Sequence, residues 1–151
     1  MKIGFTGTRR GLTPRQRGAL ESLLLAVKMS LYSGCDGNKT AVGIHGCCVG
    51  ADEEFHELCQ RFGFGTIGRR SNLTNMRMHG KCDIEYEPEY PLDRNRKIVD
   101  ECDMLIVCPR TADEELRSGT WATVRYAEKT GKAFRIIEPC GNMRTSIARI
   151  R

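Results

Sequence analysis

Gly7-Thr8-Arg9-Arg10 stands at the end of a short apolar start, residues 2–7 (KIGFTG). Such a run combines a backbone that a ligand can approach closely, a hydroxyl donor and one or two guanidinium forks, which suit phosphate oxygens. It is neither a Walker loop nor a G-x-G-x-x-G fingerprint, and a glycine turn followed by exposed arginines would read the same way. Residues 45–52 (HGCCVGAD) place Gly46 and Gly50 in a strand-to-helix turn, followed by Asp52 in the first helical turn. Asp52 can accept from a ribose hydroxyl or complement the helix dipole. His45 fits a packed strand-end histidine more readily than a catalyst. Cys47 and Cys48 resemble nucleophiles only in type, since no base is paired with them in the sequence.

Arg94, Arg96 and Lys97 cluster at the expected start of a helix, where positive charge opposes the macrodipole at a cost of about 0.3–1 kcal/mol each. An anionic partner would offset that cost, and Asn95 can read a base edge or a ribose. Ser118-Gly119-Thr120 precedes a further helix, whose first backbone N–H groups make an anion seat. Trp121 behind it packs in the core or stacks on a base, with the core favoured. Glu114 and Glu115 in the preceding loop are the nearest carboxylates for acid/base work, and equally fit a solvated loop tip.

These residues must be held by alternating strands and helices. After the first strand, Thr13-Pro14 opens a helix with Thr13 as cap and Pro14 at its first position. Leu20, Leu23, Leu24, Val27 and Leu31 give that helix one apolar face. Residues 33–38 are turn chemistry. Strands are expected at 41–44 (AVGI), 64–67, 104–107 (MLIV) and 133–137 (AFRII). Helices are expected after Gly50, from about Arg94, and from Gly119-Thr120 to Gly131. Residues 69–93 show no period and read as a long functional connection.

The fold class that follows is α/β: a single Rossmann-like three-layer domain with a five-stranded, mostly parallel sheet. Residues 1–138 form this domain, and 139–151 a basic, frayed C-terminal tail. In such sheets ligands bind at the carboxyl ends of the strands, near the switch point. The chemistry-bearing runs all fall there.

The 151 residues, 40% hydrophobic, suffice for one core and not two. A net charge of +5 favours anionic small molecules or a weak nucleic-acid surface. None of the eight cysteines sits in a Cys-x-x-Cys pair, and no Cys/His group has zinc-finger spacing. With no secretory signal and no long apolar run, the expectation is a cytoplasmic protein with free thiols, no metal, no cofactor and no membrane association.

Taken together, GFTGTRRGLTP, HGCCVGAD, PLDRNRKIVDECDMLIVCP and ELRSGTWATVRYAEKTGKAF resemble the SLOG superfamily, which contains DprA and the LOG phosphoribohydrolases. The resemblance covers most of the chain, in order, and the chain looks like the small single-domain members. It implies a nucleotide-type ligand over the ends of the first and fourth strands. LOG enzymes cleave the N-glycosidic bond of a nucleoside 5′-monophosphate and carry P-G-G-x-G-T-x-x-E with an upstream arginine. Arg94 falls on that arginine and Gly119-Thr120 on the Gly-Thr, but Thr123 stands where the glutamate belongs. Either Glu114 or Glu115 substitutes as the catalytic acid beside Arg94, or the protein binds without cleaving.

The ligand set implied is Gly7, Thr8, Arg9, His45, Gly46, Gly50, Asp52, Arg94, Asn95, Ser118, Gly119 and Thr120. Binding of a nucleotide or nucleotide-derived ligand is the leading expectation, followed by phosphoribohydrolase activity and then DprA-like single-stranded DNA binding. Glu85, Glu87 and Glu89 disfavour nucleic acid, despite Tyr86 and Tyr90. A homodimer is expected by analogy with related folds. Arg94→Ala is expected to abolish binding with little loss of fold.

Overall fold

A computed structural model describes residues 1–32 and 40–146. The turn expected at 33–38 and the last five residues lie outside this set. In chain order the elements are β1 (Lys2–Gly7), α1 (Pro14–Tyr32), β2 (Val42–His45), α2 (Ala51–Arg61), β3 (Gly65–Ser71), β4 (Ile84–Glu89), α3 (Pro91–Glu101), β5 (Met104–Cys108), α4 (Gly119–Thr130), β6 (Phe134–Ile137) and β7 (Met143–Thr145).

The sheet has seven strands in the order β4-β3-β2-β1-β5-β6-β7, so the expectation of five is corrected. All neighbours are parallel except β6 and β7. Both additional strands lie at the edges. β4 (IEYEPE) is exposed almost throughout and carries three glutamates and a proline, so it lacks the apolar alternation that marks a half-buried strand. β7 is three exposed residues in the segment expected to fray. Successive crossovers run from β1 outward to β4, and the chain then returns to place β5 on the other side of β1. The switch point therefore lies between β1 and β5.

Helices cover both faces. Phe5, Leu20, Leu24, Phe55, Leu58 and Ile106 belong to the core beneath α1 and α2. Ile44, Ile98, Leu105, Val107, Trp121 and Val124 belong to the core beneath α3 and α4. Each large apolar side chain so buried contributes about 1.5–3 kcal/mol. Trp121 is 5% exposed, which decides for its core role.

The helix ends follow local chemistry. At α1, Thr13 Oγ1 accepts from Gln16 N at 3.1 Å and Gln16 Oε1 accepts from Thr13 N at 3.2 Å, a reciprocal capping box. The buried Gln16 amide also donates to the carbonyls of Pro109 and Ile137, both at 2.9 Å, which anchors α1 to the ends of β5 and β6. α4 begins with Ser118 accepting from Trp121 N and ends on Gly131 in the left-handed region.

α3 starts at Pro91, three residues before the expected start. Its first turn therefore carries Asp93, and the basic cluster lies one turn further in. Successive residues on a helix point in different directions, which parts that cluster. Arg96 lies over the Tyr126 ring at 5.6 Å, Lys97 pairs with Glu89 at 2.7 Å, and Arg94 turns inward.

Candidate functional site

Thr8 is the hinge of the first loop. Its N–H donates to Cys108 O at 3.1 Å, carrying the β1–β5 ladder one residue past the strand. Its carbonyl accepts from Ala51 N at 3.0 Å and Gly11 N at 3.2 Å, which ties the loop to the start of α2. Its hydroxyl accepts from Arg10 N at 3.2 Å. Gly50, at φ 86°, makes the second loop fit the first, since a Cβ there would lie 2.3 Å from Arg9 O. Glu54 completes the brace by accepting from Leu12 N at 2.6 Å and pairing with Arg17 at 3.1 Å.

Above these loops is an open cleft of about 600 Å³ at the carboxyl ends of β1, β2 and β5. The first loop contributes Gly7, Thr8, Arg9 and Arg10, and the second Gly46, Cys48 and Asp52. α3 contributes Pro91, Leu92, Arg94 and Asn95, and the stretch entering α4 contributes Arg110, Glu115, Arg117, Ser118, Gly119 and Thr120. Arg110 is held by Glu115 at 2.6 Å. Arg9, Arg10 and Arg117 form no ion pair among the described residues. An added Cβ on Gly119 would meet nothing within 4 Å, so the N-terminus of α4 opens into the cleft.

Asp52 and Arg94 form the floor. Asp52 Oδ2 accepts from Gly46 N and Cys48 N, each at 3.2 Å. Burial raises its carboxyl pKa, against the opposing pull of the His45 and Arg94 charges and those two N–H bonds. Arg94 is 5% exposed, and its Nη1 donates to Gly46 O at 2.7 Å and Arg69 O at 3.3 Å. The Cys48 thiol is pushed up by burial first and the Asp52 charge second, so it is protonated at neutral pH and is no nucleophile there.

Most of the residues singled out from sequence thus meet in one place, and three do not. His45 is fully buried behind the cleft, where its Nδ1 accepts from Cys47 N and its Nε2 faces His56 Nδ1, both at 3.0 Å. Gly50 acts on the packing of two loops and does not line the cleft. Glu114 pairs with Arg125 at 2.8 Å outside the cleft, while Glu115 lines it. Thr123 is buried, donates to Gly119 O at 2.9 Å, and lines a neighbouring groove between α3 and α4. Sequence reasoning missed Arg10, Arg110 and Arg117 as cleft residues. The signal was present, since Arg10 stood in the first singled-out run and the others flank the loop leading to Ser118.

Comparison of folds decides the class of this architecture. The chain matches a molybdenum cofactor binding protein from the phototrophic bacterium Rippkaea orientalis at 22% identity and TM-score 0.66, covering 89% of this chain and 74% of that one. The two chains share one fold, which agrees with the α/β architecture that the resemblance to SLOG proteins implies. DNA processing protein A (DprA) from Streptococcus pneumoniae matches at 19% identity and TM-score 0.63, over 89% of this chain and 49% of that one, so the chain spans about half the length of that protein. The DprA of Helicobacter pylori, whose structure concerns a single-stranded DNA binding mode, matches at 22% identity and TM-score 0.58, over 90% of this chain and 64% of that one. No protein-family model matches the sequence, and no curated protein matches it. No helix among the described residues is long and apolar enough to cross a membrane.

Proposed function

We propose that the cleft binds a nucleotide or nucleotide-derived small molecule in a cytosolic, reducing setting. The observation that carries this reading is the meeting of Arg9, Arg10 and Arg117, which form no ion pair among the described residues, with the open N-terminus of α4. Backbone N–H groups at a helix start and guanidinium forks together favour phosphate oxygens. Beyond the phosphate seat, Asn95 and Leu92 offer a polar edge and an apolar surface to a base, and Asp52 lies on the floor as an acceptor. The SLOG-type neighbours agree in kind, since one is described as a cofactor binder and another by its binding of single-stranded DNA.

A second reading, N-glycosidic cleavage of a nucleoside 5′-monophosphate, rests on Glu115, the one glutamate lining the cleft. Its hydrogen bonds from Arg110 and Thr111 lower its pKa, so it is an ionised group able to stabilise developing positive charge but a poor proton donor. Binding without cleavage is therefore the stronger of the two.

The deciding experiment is mass spectrometry of the small molecule that co-purifies with the protein, joined to calorimetry with a panel of nucleotides and a short single-stranded oligonucleotide. Arg117→Ala should weaken nucleotide binding more than tenfold and leave the fold intact. Tight binding of the oligonucleotide alone would overturn the small-molecule reading. Free base released from a monophosphate by the wild type and not by Glu115→Gln would replace it with the enzyme.

A further inference from the structure

Behind the cleft wall, four side chains from three separate stretches of the chain converge. His45 ends β2, Cys47 follows two residues on, His56 lies on α2, and Cys82 stands just ahead of β4. Cys47 Sγ is 3.8 Å from Cys82 Sγ, and Cys82 Sγ is 3.5 Å from His45 Nε2. His56 Nδ1 is 3.0 Å from His45 Nε2 and 3.8 Å from Cys82 Sγ. The ligand atoms of His45, Cys47 and Cys82 all lie within 4.8 Å of one another.

A tetrahedral zinc ion bonds sulfur at about 2.3 Å and imidazole nitrogen at about 2.0–2.1 Å, which requires sulfur–sulfur separations of about 3.8 Å and sulfur–nitrogen separations of about 3.5 Å. The Cys47–Cys82 and Cys82–His45 distances have those values. We propose that Cys47, Cys82 and His45, completed by His56, form a zinc site that clamps the wall of the cleft.

Two observations independent of these distances support it. Gly68 on β3 makes room for the sulfurs, since a Cβ there would lie 2.6 Å from Cys47 Sγ and 2.9 Å from Cys82 Sγ. His56 is 3% exposed and its Nε2 has no hydrogen-bond partner. Because His45 Nδ1 accepts from Cys47 N, its Nε2 carries the proton and donates to His56 Nδ1, whose lone pair therefore faces the cluster, the state a ligand needs. Two thiolates with imidazole select zinc over hard cations such as magnesium or calcium.

The proton balance is definite. Binding releases the two thiol protons to solvent and moves the proton of His45 from Nε2 to Nδ1. Because Nδ1 accepts from Cys47 N in the metal-free arrangement, loading breaks that bond. Cys47, the one non-glycine residue at positive φ (56°) among the described residues, is the position that adjusts. The clamp would join residues 76–82 to the turn after β2, reinforcing Val49 N→Met76 O at 2.9 Å and Met78 N→Cys47 O at 3.0 Å. Gly46 and Cys48, the neighbours of Cys47, line the cleft, so a bound ion would stiffen the ligand site from behind.

The test is titration of the reduced, metal-free full chain with Co²⁺, followed by displacement with Zn²⁺, alongside elemental analysis of the protein as purified. The expected result is one equivalent of tetrahedral cobalt with a thiolate charge-transfer band, lost on adding Zn²⁺. Cys82→Ser should weaken Co²⁺ binding more than about 100-fold, beyond the loss of an outer-shell partner, while Cys140→Ser changes nothing. Absence of the thiolate band in wild-type protein with all its thiols free would overturn the proposal without reliance on any variant. So would a band unchanged in Cys82→Ser. Failure to take up cobalt, combined with loss of two thiols to a Cys47–Cys82 disulfide under oxidised glutathione, would make the pair a redox couple instead.

Discussion

Arg94 Nη1 donates to the carbonyl of Gly46 at 2.7 Å, joining α3 to the turn after β2 across 48 residues of sequence. A second bond to Arg69 O at 3.3 Å ties in the end of β3. The arginine expected to hold a ligand, or to act with Glu114 or Glu115 in catalysis, is thus also a buried strut. Arg94→Ala leaves two carbonyls without this donor and takes the Arg94 charge away from Asp52. Chemical denaturation should show a loss of about 2–3 kcal/mol, more than the little loss of fold expected from the sequence. Lost binding in this variant therefore does not isolate the ligand contact, whereas loss in Arg117→Ala does.

Gly50 couples the two loops that form the base of the cleft. At φ 86° and with Arg9 O 2.3 Å from any added Cβ, alanine is both conformationally strained and sterically blocked. Gly50→Ala should destabilise the fold by more than about 1 kcal/mol and displace the Arg9 loop. Thermal unfolding measures the first effect, and a drop in nucleotide affinity by calorimetry measures the second.

Glu115 and Arg110 are held together at 2.6 Å on the rim of the cleft. If the site receives phosphate, the carboxylate competes for Arg110, and Glu115→Gln should tighten binding of a nucleoside monophosphate severalfold by calorimetry. If Glu115 serves in glycosidic cleavage, the same change should abolish release of free base, read by chromatography.

Asp52 gives a pH dependence of definite sign. Burial places its folded-state pKa above the unfolded one, so its favourable contribution is present below the ordinary carboxyl range and is lost as pH rises through the folded-state value. Asp52→Asn keeps an acceptor for Gly46 N and Cys48 N without the buried charge. The melting temperature of the variant relative to wild type should rise between about pH 4 and pH 7. A difference that falls over this range would contradict the assignment.

Much of the frame was legible because its signals are local. The Thr13-Pro14 cap, the leucine spacing of α1, the apolar run of β5 and the closing Gly131 each act within a few residues. β4 was not legible, since an exposed edge strand made of glutamate, tyrosine and proline has no buried face to mark it. The loops that meet in the cleft could be named because each follows a parallel strand. Which of their side chains turn inward could not, and so His45 and Glu114 belong elsewhere while Arg110 and Arg117 join the cleft.

By itself the sequence determined the α/β alternation, the buried face of each central element and the three runs that face one ligand space, because periodicity and turn chemistry depend on near neighbours. Only the tertiary structure decided that Arg94 is a strut as well as a cleft residue, that Thr123 faces a different groove, and that His45, Cys47, His56 and Cys82 meet. Cys47 and Cys82 are 35 residues apart in sequence, and their contact depends on β2 and β3 lying side by side with a glycine between the sulfurs. No local spacing rule carries that information, since it is set by strand order and register.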